Sequence, residues 1–528
     1  MNKDFKAMGK TAFLSFQHMF AMLGATITVP LVVGMSIPLA LLSAGVGTIL
    51  FYFLTQRKVP VFLGSSFAFM PGLITVFTYY MNGQDKFPIG TPQYNSMALA
   101  AMIALVLAGL VYVIFSFVIK AVGVQKVKKL FPPIVVGPVI IVIGMNLAGS
   151  IFWNDIIANY VAYGSVAWKE WTTALITALT IIGINAFAKP KSFLKVIPIL
   201  IGFVVGYVYG ACIGLVNFDP ASDGFIFAET AKGNIIIFQQ AKDIWGFWGA
   251  WGSLDGGLIG TAIFAIVPIA IVTFMEHLGD ISANSTVCGK DFMVDPGLHR
   301  TVLGDGVATA VSGLLGGPAN TTYGENTAVL AITKNYNPRN IFYAACIAVV
   351  LALFVPFGEI LSAIPTAVVG GACVVLFGMI SAAGLRSLVD AKVDFNNSKN
   401  LIVVAVTLSV GLGLGAVSLA GDIVNTMAGS FGVNGNALKI GFSVEGGGFV
   451  AISALAIATV LAIVLNLIIP NSKPESEEQE IAKESSIVNL SSSAAVDMTE
   501  VTEGLEEMAA EEIAKEKKPE EEDKHAEE

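Results

Sequence analysis

Two carboxylates four residues apart, Glu276 and Asp280, interrupt an otherwise apolar stretch, and Asn284 follows one turn later. That spacing places all three on one face of a helix. A further carboxylate, Glu325, lies in a second apolar stretch broken by Asn320-Thr321-Thr322-Tyr323-Gly324-Glu325-Asn326. A charge at the centre of a bilayer costs roughly 3 kcal/mol or more, so such residues mark a functional site by default. No Lys or Arg shares the interior of these two stretches. On this reading the membrane-embedded carboxylates number three: Glu276, Asp280 and Glu325. A carboxyl that binds a proton in one state and releases it in another couples proton movement to transport. His18, with Gln17 beside it on the first apolar run, is a further candidate. His277 is turned about 100° around the helix from Glu276 and faces elsewhere.

These residues need elements that hold them at membrane depth. Approximate apolar runs cover 11–33, 37–55, 60–80, 97–119, 132–153, 171–188 and 195–216, then 257–284, 302–315, 320–333, 340–357, 365–382, 400–419 and 447–470. At about 20 residues each they read as about fourteen crossings. The third and tenth are poor single helices, because Gly64-Ser65-Ser66 and Asn320–Asn326 interrupt them. Irregular backbone at that depth is tolerated only where it is buried in protein or lines a cavity. Broken spans of this kind offer backbone N–H and carbonyl groups to a small polar ligand. Phe67, just beyond the first break, offers an apolar face to a flat ring, though its composition equally suits core packing.

Of 528 residues, 55% are hydrophobic and 13% charged, with a mean hydropathy of +0.74. A soluble chain carries about a quarter charged residues. The net charge of −9 is uneven: residues 471–528 hold 19 Asp/Glu and 6 Lys/Arg, leaving 20 and 24 in the body. The body is thus slightly basic, and the tail reads as an acidic, disordered cytoplasmic appendage. With the N-terminus (residues 1–10) inside, 19 of the 24 body Lys/Arg fall on the inner side. That bias favours an even number of spans, with both termini cytoplasmic. The first apolar run is too long for a cleaved signal peptide and reads as a retained span. Trp245, Trp248 and Trp251 fall in a long outer loop, at the expected depth of an interfacial belt. Cys212, Cys288, Cys346 and Cys373 show no metal spacing and read as packing residues. No basic stripe suggests nucleic acid, and no Walker loop, HExxH, GxSxG or zinc-deaminase motif suggests an enzyme.

The two halves also resemble each other weakly. A shift of 259 residues lays Gln17-His18 over Glu276-His277 and Ser65-Ser66 over Gly324-Glu325. A shift of 233 lays Pro132, Val135, Val136 and Gly137 over Pro365, Val368, Val369 and Gly370. An odd number of spans per half makes the repeat inverted, a common plan for secondary transporters.

Five segments then resemble a known family: Gln17–Thr26, Leu63–Phe69, Glu276–Asp280, Asp295–Arg300 and Asn320–Asn326. They are similar to the nucleobase–ascorbate transporters (nucleobase:cation symporter-2), and most similar to the bacterial uracil permeases. The resemblance runs from about residue 10 to 470. It implies an all-α polytopic membrane protein of fourteen segments in a 7+7 inverted repeat. A core domain would hold segments 1–4 and 8–11 and a gate domain segments 5–7 and 12–14, with short antiparallel strands in segments 3 and 10. By matching, Glu276 corresponds to the acid that hydrogen-bonds the ring of the base. Phe67 and Gly324 match positions offering backbone N–H groups, Glu325 matches the second acid, and Tyr323 lies beside the site. Proton coupling is expected to involve Asp280, Glu276 and His18, with no cofactor or metal and with sodium left open as coupling ion. A homodimer in the cytoplasmic membrane is implied as well.

Two positions depart from the family pattern. Asp280 stands where uracil permeases typically carry a second histidine, as in xanthine and urate members, and Ala328 replaces a signature glycine. Tyr323-Gly324-Glu325-Asn326 nevertheless matches uracil members, whereas purine members usually carry Gln before the Asn. The expected function is proton-coupled uracil import, with a purine-base symporter as the alternative. An anion exchanger or channel on the same architecture is more remote, since Glu276 and Glu325 repel anions.

Overall fold

Ser36 accepts a hydrogen bond from the Leu39 N–H at 3.5 Å, and Pro38 occupies the first turn that follows, so a new helix begins there. Signals of this kind divide the apolar chain into elements in a computed structural model. It describes residues 3–80, 87–126, 131–151, 168–189, 192–195, 197–216, 218, 226–428, 441–444, 448–451 and 454–470. The chain divides into a body, Met1–Pro470, and a second unit, Asn471–Glu528, which lies outside the described residues.

The first half comprises α1 (Lys3–Val33), α2 (Ile37–Leu54), β1 (Leu63–Ser65), α3 (Met70–Phe77), α4 (Pro92–Val122), α5 (Pro133–Ile151), α6 (Trp168–Phe187) and α7 (Pro198–Cys212). After a loop of short helical turns come α8 (Gly256–Ile266), α9 (Ile269–Cys288), α10 (Leu298–Leu315), β2 (Asn320–Thr322) and α11 (Gly324–Thr333). The chain continues through α12 (Pro338–Ala352), α13 (Val355–Ser362), α14 (Thr366–Asp390), α15 (Ser398–Ala428), β3 (Gly441–Val444), β4 (Gly448–Ala451) and α16 (Ala454–Ile468). The protein is mostly helical. Among the described residues seven helical stretches are long and apolar enough to cross a membrane, one of them Gly256–Cys288, which α8 and α9 make together. The other apolar runs form shorter or interrupted elements. The expected span 257–284 is broken between α8 and α9 at Val267-Pro268, because proline has no N–H to donate and its ring crowds the preceding turn.

Helices pack in two groups. In one, α2 lies against α10 and α12, α4 against α10 and α8, and α1 against α12. In the other, α14 lies against α5, α6 and α7, and α15 against α5 and α16. Small residues permit close crossings, as expected between membrane helices. A Cβ added at Gly109 of α4 would meet the Gly306 carbonyl of α10 at 2.5 Å. Polar side chains inside the helices satisfy themselves locally; Thr28, Thr55 and Thr177 each donate to the carbonyl four residues back.

β1 and β2 pair antiparallel, with Leu63 opposite Thr322, Gly64 opposite Thr321 and Ser65 opposite Asn320. Three residues of ladder are too few to satisfy backbone at membrane depth, and helices supply the rest. Thr48 of α2 donates to the Leu63 carbonyl at 3.2 Å and accepts from its N–H at 2.9 Å. Thr309 of α10 donates to the Asn320 carbonyl at 2.7 Å. Gly64 is required by close approach, since a Cβ there would stand 2.5 Å from the Tyr323 ring and 2.7 Å from Thr26 Oγ1.

The loop 226–255 is fastened to helix ends. The Glu359 carboxylate accepts from the Glu229 and Thr230 N–H groups and the Thr230 hydroxyl. Trp245 Nε1 donates to the Leu315 carbonyl at 2.9 Å, whereas Trp248 and Trp251 are exposed.

Candidate functional site

Asp280 and Thr322 bring α9 onto the strand pair. The Thr322 hydroxyl donates to Asp280 Oδ2 at 2.8 Å. Asp280 Oδ1 lies over Gly324, 3.7 Å from where a Cβ would stand. Gly324 is exposed and opens α11, so a helix N-terminus with free N–H groups is presented beside a carboxylate. Glu276, one turn earlier on α9, is half-buried, as is Asp280. Glu325 is the second residue of α11, and its side chain lies outside the described residues.

Phe67 follows β1 and is half-buried, its ring edge-on to Phe377 of α14 at 5.8 Å. The site therefore lies where the two helix groups meet. Tyr323 is almost fully buried, and its hydroxyl donates to the Ser65 carbonyl at 2.7 Å. That bond makes Tyr323 a clamp on the end of β1. His18 is completely buried and is held from α11, where Asn326 Nδ2 donates to its carbonyl at 3.2 Å. The same amide stands 3.3 Å from His18 Nδ1. His18 Nε2, Ser65 Oγ, Ser66 Oγ and both side-chain polar atoms of Asn320 are buried without a hydrogen-bond partner among the described residues. Protein interiors satisfy such groups with ordered water.

One expectation is refined and two need correction. Asn284 shares the face of Glu276 and Asp280 but is fully buried, donating to the Pro60 carbonyl and to Thr327 Oγ1, each at 3.3 Å. It staples α9 to the approach of β1 and to α11, because a shared helix face does not imply shared exposure. The embedded carboxylates number more than three. Asp305 of α10 is completely buried, with Oδ2 2.9 Å from His277 Nδ1. It falls inside the 302–315 run, so the rule that singled out Glu276 also applies to it. Finally, all four cysteines are free thiols, and Cys212 is exposed rather than packed.

His277 faces away from the site, as its angular position implied. Its Nε2 stands 2.9 Å from Thr301 Oγ1, which donates onward to the Leu298 carbonyl at 3.0 Å. With that hydroxyl proton committed, Nε2 is the donor to Thr301, a role assigned from the network. One proton then lies between Nδ1 and the Asp305 carboxylate. The pair is net neutral whichever atom carries it, which is how a buried carboxylate is tolerated.

Outside the spans, the hydrogen bond from Lys232 holds the Glu229 carboxyl below its ordinary range. No group of three His, Cys, Asp or Glu residues placed to hold a metal occurs among the described residues.

Apolar helices in two packed groups, interrupted spans that meet at their breaks, and the Asp280 carboxylate at those breaks define a multi-pass membrane transporter. The comparisons agree. The profile of the Permease family matches residues 9–420. The "Uracil permease" of Bacillus caldolyticus is 37% identical over 477 residues, covering 90% of this chain and 95% of that protein. The "Uracil permease" of Bacillus subtilis is 37% identical over 466 residues, covering 87% and 93%. The chain belongs to this permease family, the nucleobase–ascorbate transporters, and is a transporter rather than an enzyme. Among solved structures, the transmembrane domain of the cyanobacterial bicarbonate transporter BicA superposes with a TM-score of 0.51 at 14% identity. That match covers 79% of this chain and 98% of BicA's, and the likeness is one of fold alone.

Proposed function

We propose that the protein imports uracil together with a proton across the cytoplasmic membrane. The observation that carries this reading is the meeting of the α11 N-terminus with the Asp280 carboxylate of α9 beside the β1–β2 pair. Uracil is flat, neutral and polar at its edges, and suits a few convergent polar groups in a partly apolar pocket. Glu276 hydrogen-bonds the ring N–H and adjacent carbonyl. The Phe67 and Gly324 N–H groups bind carbonyls, and Glu325 contacts the base directly or through water. Tyr323, holding Ser65, keeps the two breaks in register. Asp280, with Glu276 and His18, handles the coupling proton. The names of the relatives support uracil over xanthine.

In the same proposal the body forms fourteen spans in a 7+7 inverted repeat, with both termini cytoplasmic. The first packed group of helices corresponds to the core domain and the second to the gate, through which a homodimer forms. The strands of segments 3 and 10 are β1 and β2.

Membrane vesicles with an inward proton gradient are expected to accumulate labelled uracil, and Glu276→Ala to abolish the accumulation. Uptake unaffected by a protonophore, with sodium absent, would remove proton coupling. Unlabelled xanthine competing better than unlabelled uracil would replace the substrate.

A further inference from the structure

Thr322 touches an embedded carboxylate with its side chain. Its hydroxyl bonds Asp280 Oδ2 at 2.8 Å. We propose that Thr322 is the positioning residue of the coupling carboxylate, holding Asp280 against the Gly324 end of α11 and exchanging donor for acceptor when Asp280 takes up a proton. The inference rests on the reading of Asp280 as a proton carrier.

The hydroxyl is suited to this task by chemistry and by placement. An ionised carboxylate only accepts hydrogen bonds, whereas a protonated one offers an O–H. A threonine hydroxyl can rotate to answer either form, having one donor hydrogen and two lone pairs. An Asn or Lys partner has no such freedom at its N–H groups. Thr322 is 3% exposed, and its backbone is set by pairing opposite Leu63 and by the next residue's N–H, which donates to the Phe62 carbonyl at 3.1 Å. A β-branched side chain on such a strand has little χ1 freedom. The oxygen therefore stays near Asp280 while its hydrogen remains free to turn.

The surroundings of Asp280 hold few other titratable groups. Glu276 precedes it on α9, Glu325 is the second residue of α11, Asp305 lies on α10 bonded to His277, and Tyr112 comes from α4. Of the other elements packed on α9, the turn Met293–Gly297 brings Asp295, and β2, α5, α8 and α16 bring no titratable side chain. The cations of the neighbouring helices, Lys120, Arg300 and Lys334, stand at helix ends.

The test is the pH dependence of labelled uracil binding to purified full-length protein, for wild type, T322V, T322S, D280N and the T322V/D280N double variant. Valine keeps the shape and removes the donor to the ionised carboxylate, so the protonated form persists to higher pH. The pH-dependent limb is expected to move up by about one unit in T322V. Serine is expected to restore it, and T322V to add nothing in the D280N background. A uniform loss of binding at every pH in T322V, or a shift that survives in the D280N background, overturns the proposal. If D280N itself leaves the profile unchanged, Asp280 is not the carrier, and that reading falls with the inference. If D280N changes the profile and T322V does not, the inference alone fails. Should T322V not accumulate, T322A is read in its place with the same expectations.

Discussion

Removing one partner from a buried hydrogen-bonded pair leaves the other's polar atom unsatisfied, at a cost of about 1–3 kcal/mol. His277 and Asp305 are such a pair, both fully enclosed. Asp305→Ala is therefore expected to lower the thermal stability of the purified protein markedly; unchanged melting would mean the pair is not holding α9 to α10. Glu276 belongs to a different category, because it is only half-buried. Glu276→Gln keeps the shape and is expected to cut uracil uptake at least tenfold, a loss of about 1.4 kcal/mol or more in binding, while leaving the melting temperature near wild type. The i,i+4 spacing of Glu276 and Asp280 made the α9 face legible in the sequence. Asp305 obeyed the same rule but stands alone between two glycines, without a spaced partner to draw attention to it. Asn284 shares the expected face yet lies buried, because periodicity reports direction around a helix and not what lies opposite.

At the scale of elements, the two breaks depend on close packing that only glycine allows at position 64. Gly64→Ala is expected to push Tyr323 off the Ser65 carbonyl and to weaken uracil binding more than it lowers expression; equilibrium binding of labelled uracil checks this. The interruptions themselves were legible, since Gly-Ser-Ser and Asn-Thr-Thr runs cannot continue an apolar helix. The break at Pro268 was passed over, because the apolar run continues through it. The 226–255 loop was legible only as composition, since its order comes from long-range bonds such as those to Glu359. Glu229, whose carboxyl is held low by Lys232, contributes to that order while ionised. A depressed carboxyl stabilises above its unfolded value, and the contribution is lost as pH falls through the lower folded one. Proteolytic cleavage within 226–255 is thus expected to rise only in acid below the ordinary carboxylate range, and Glu229→Gln to remove that dependence.

For the molecule as a whole, the formal charge of −9 divides between a body of +4 and a tail of −13. A chain ending at Pro470 is expected to transport uracil at the wild-type rate per molecule, which uptake normalised to membrane protein would show. The order in which the molecule can be completed follows from the strand pair. Leu63–Ser65 find their ladder partners only in residues that leave the ribosome roughly 255 positions later. Until then Thr48 can hold Leu63, but Gly64 and Ser65 lack their ladder partners in lipid, and the first half waits in the membrane with an unfinished segment. Early steps of biogenesis can thus anchor the protein but cannot assemble its site, and a chain truncated before β2 would present quality-control machinery with an open strand edge rather than a half-size transporter.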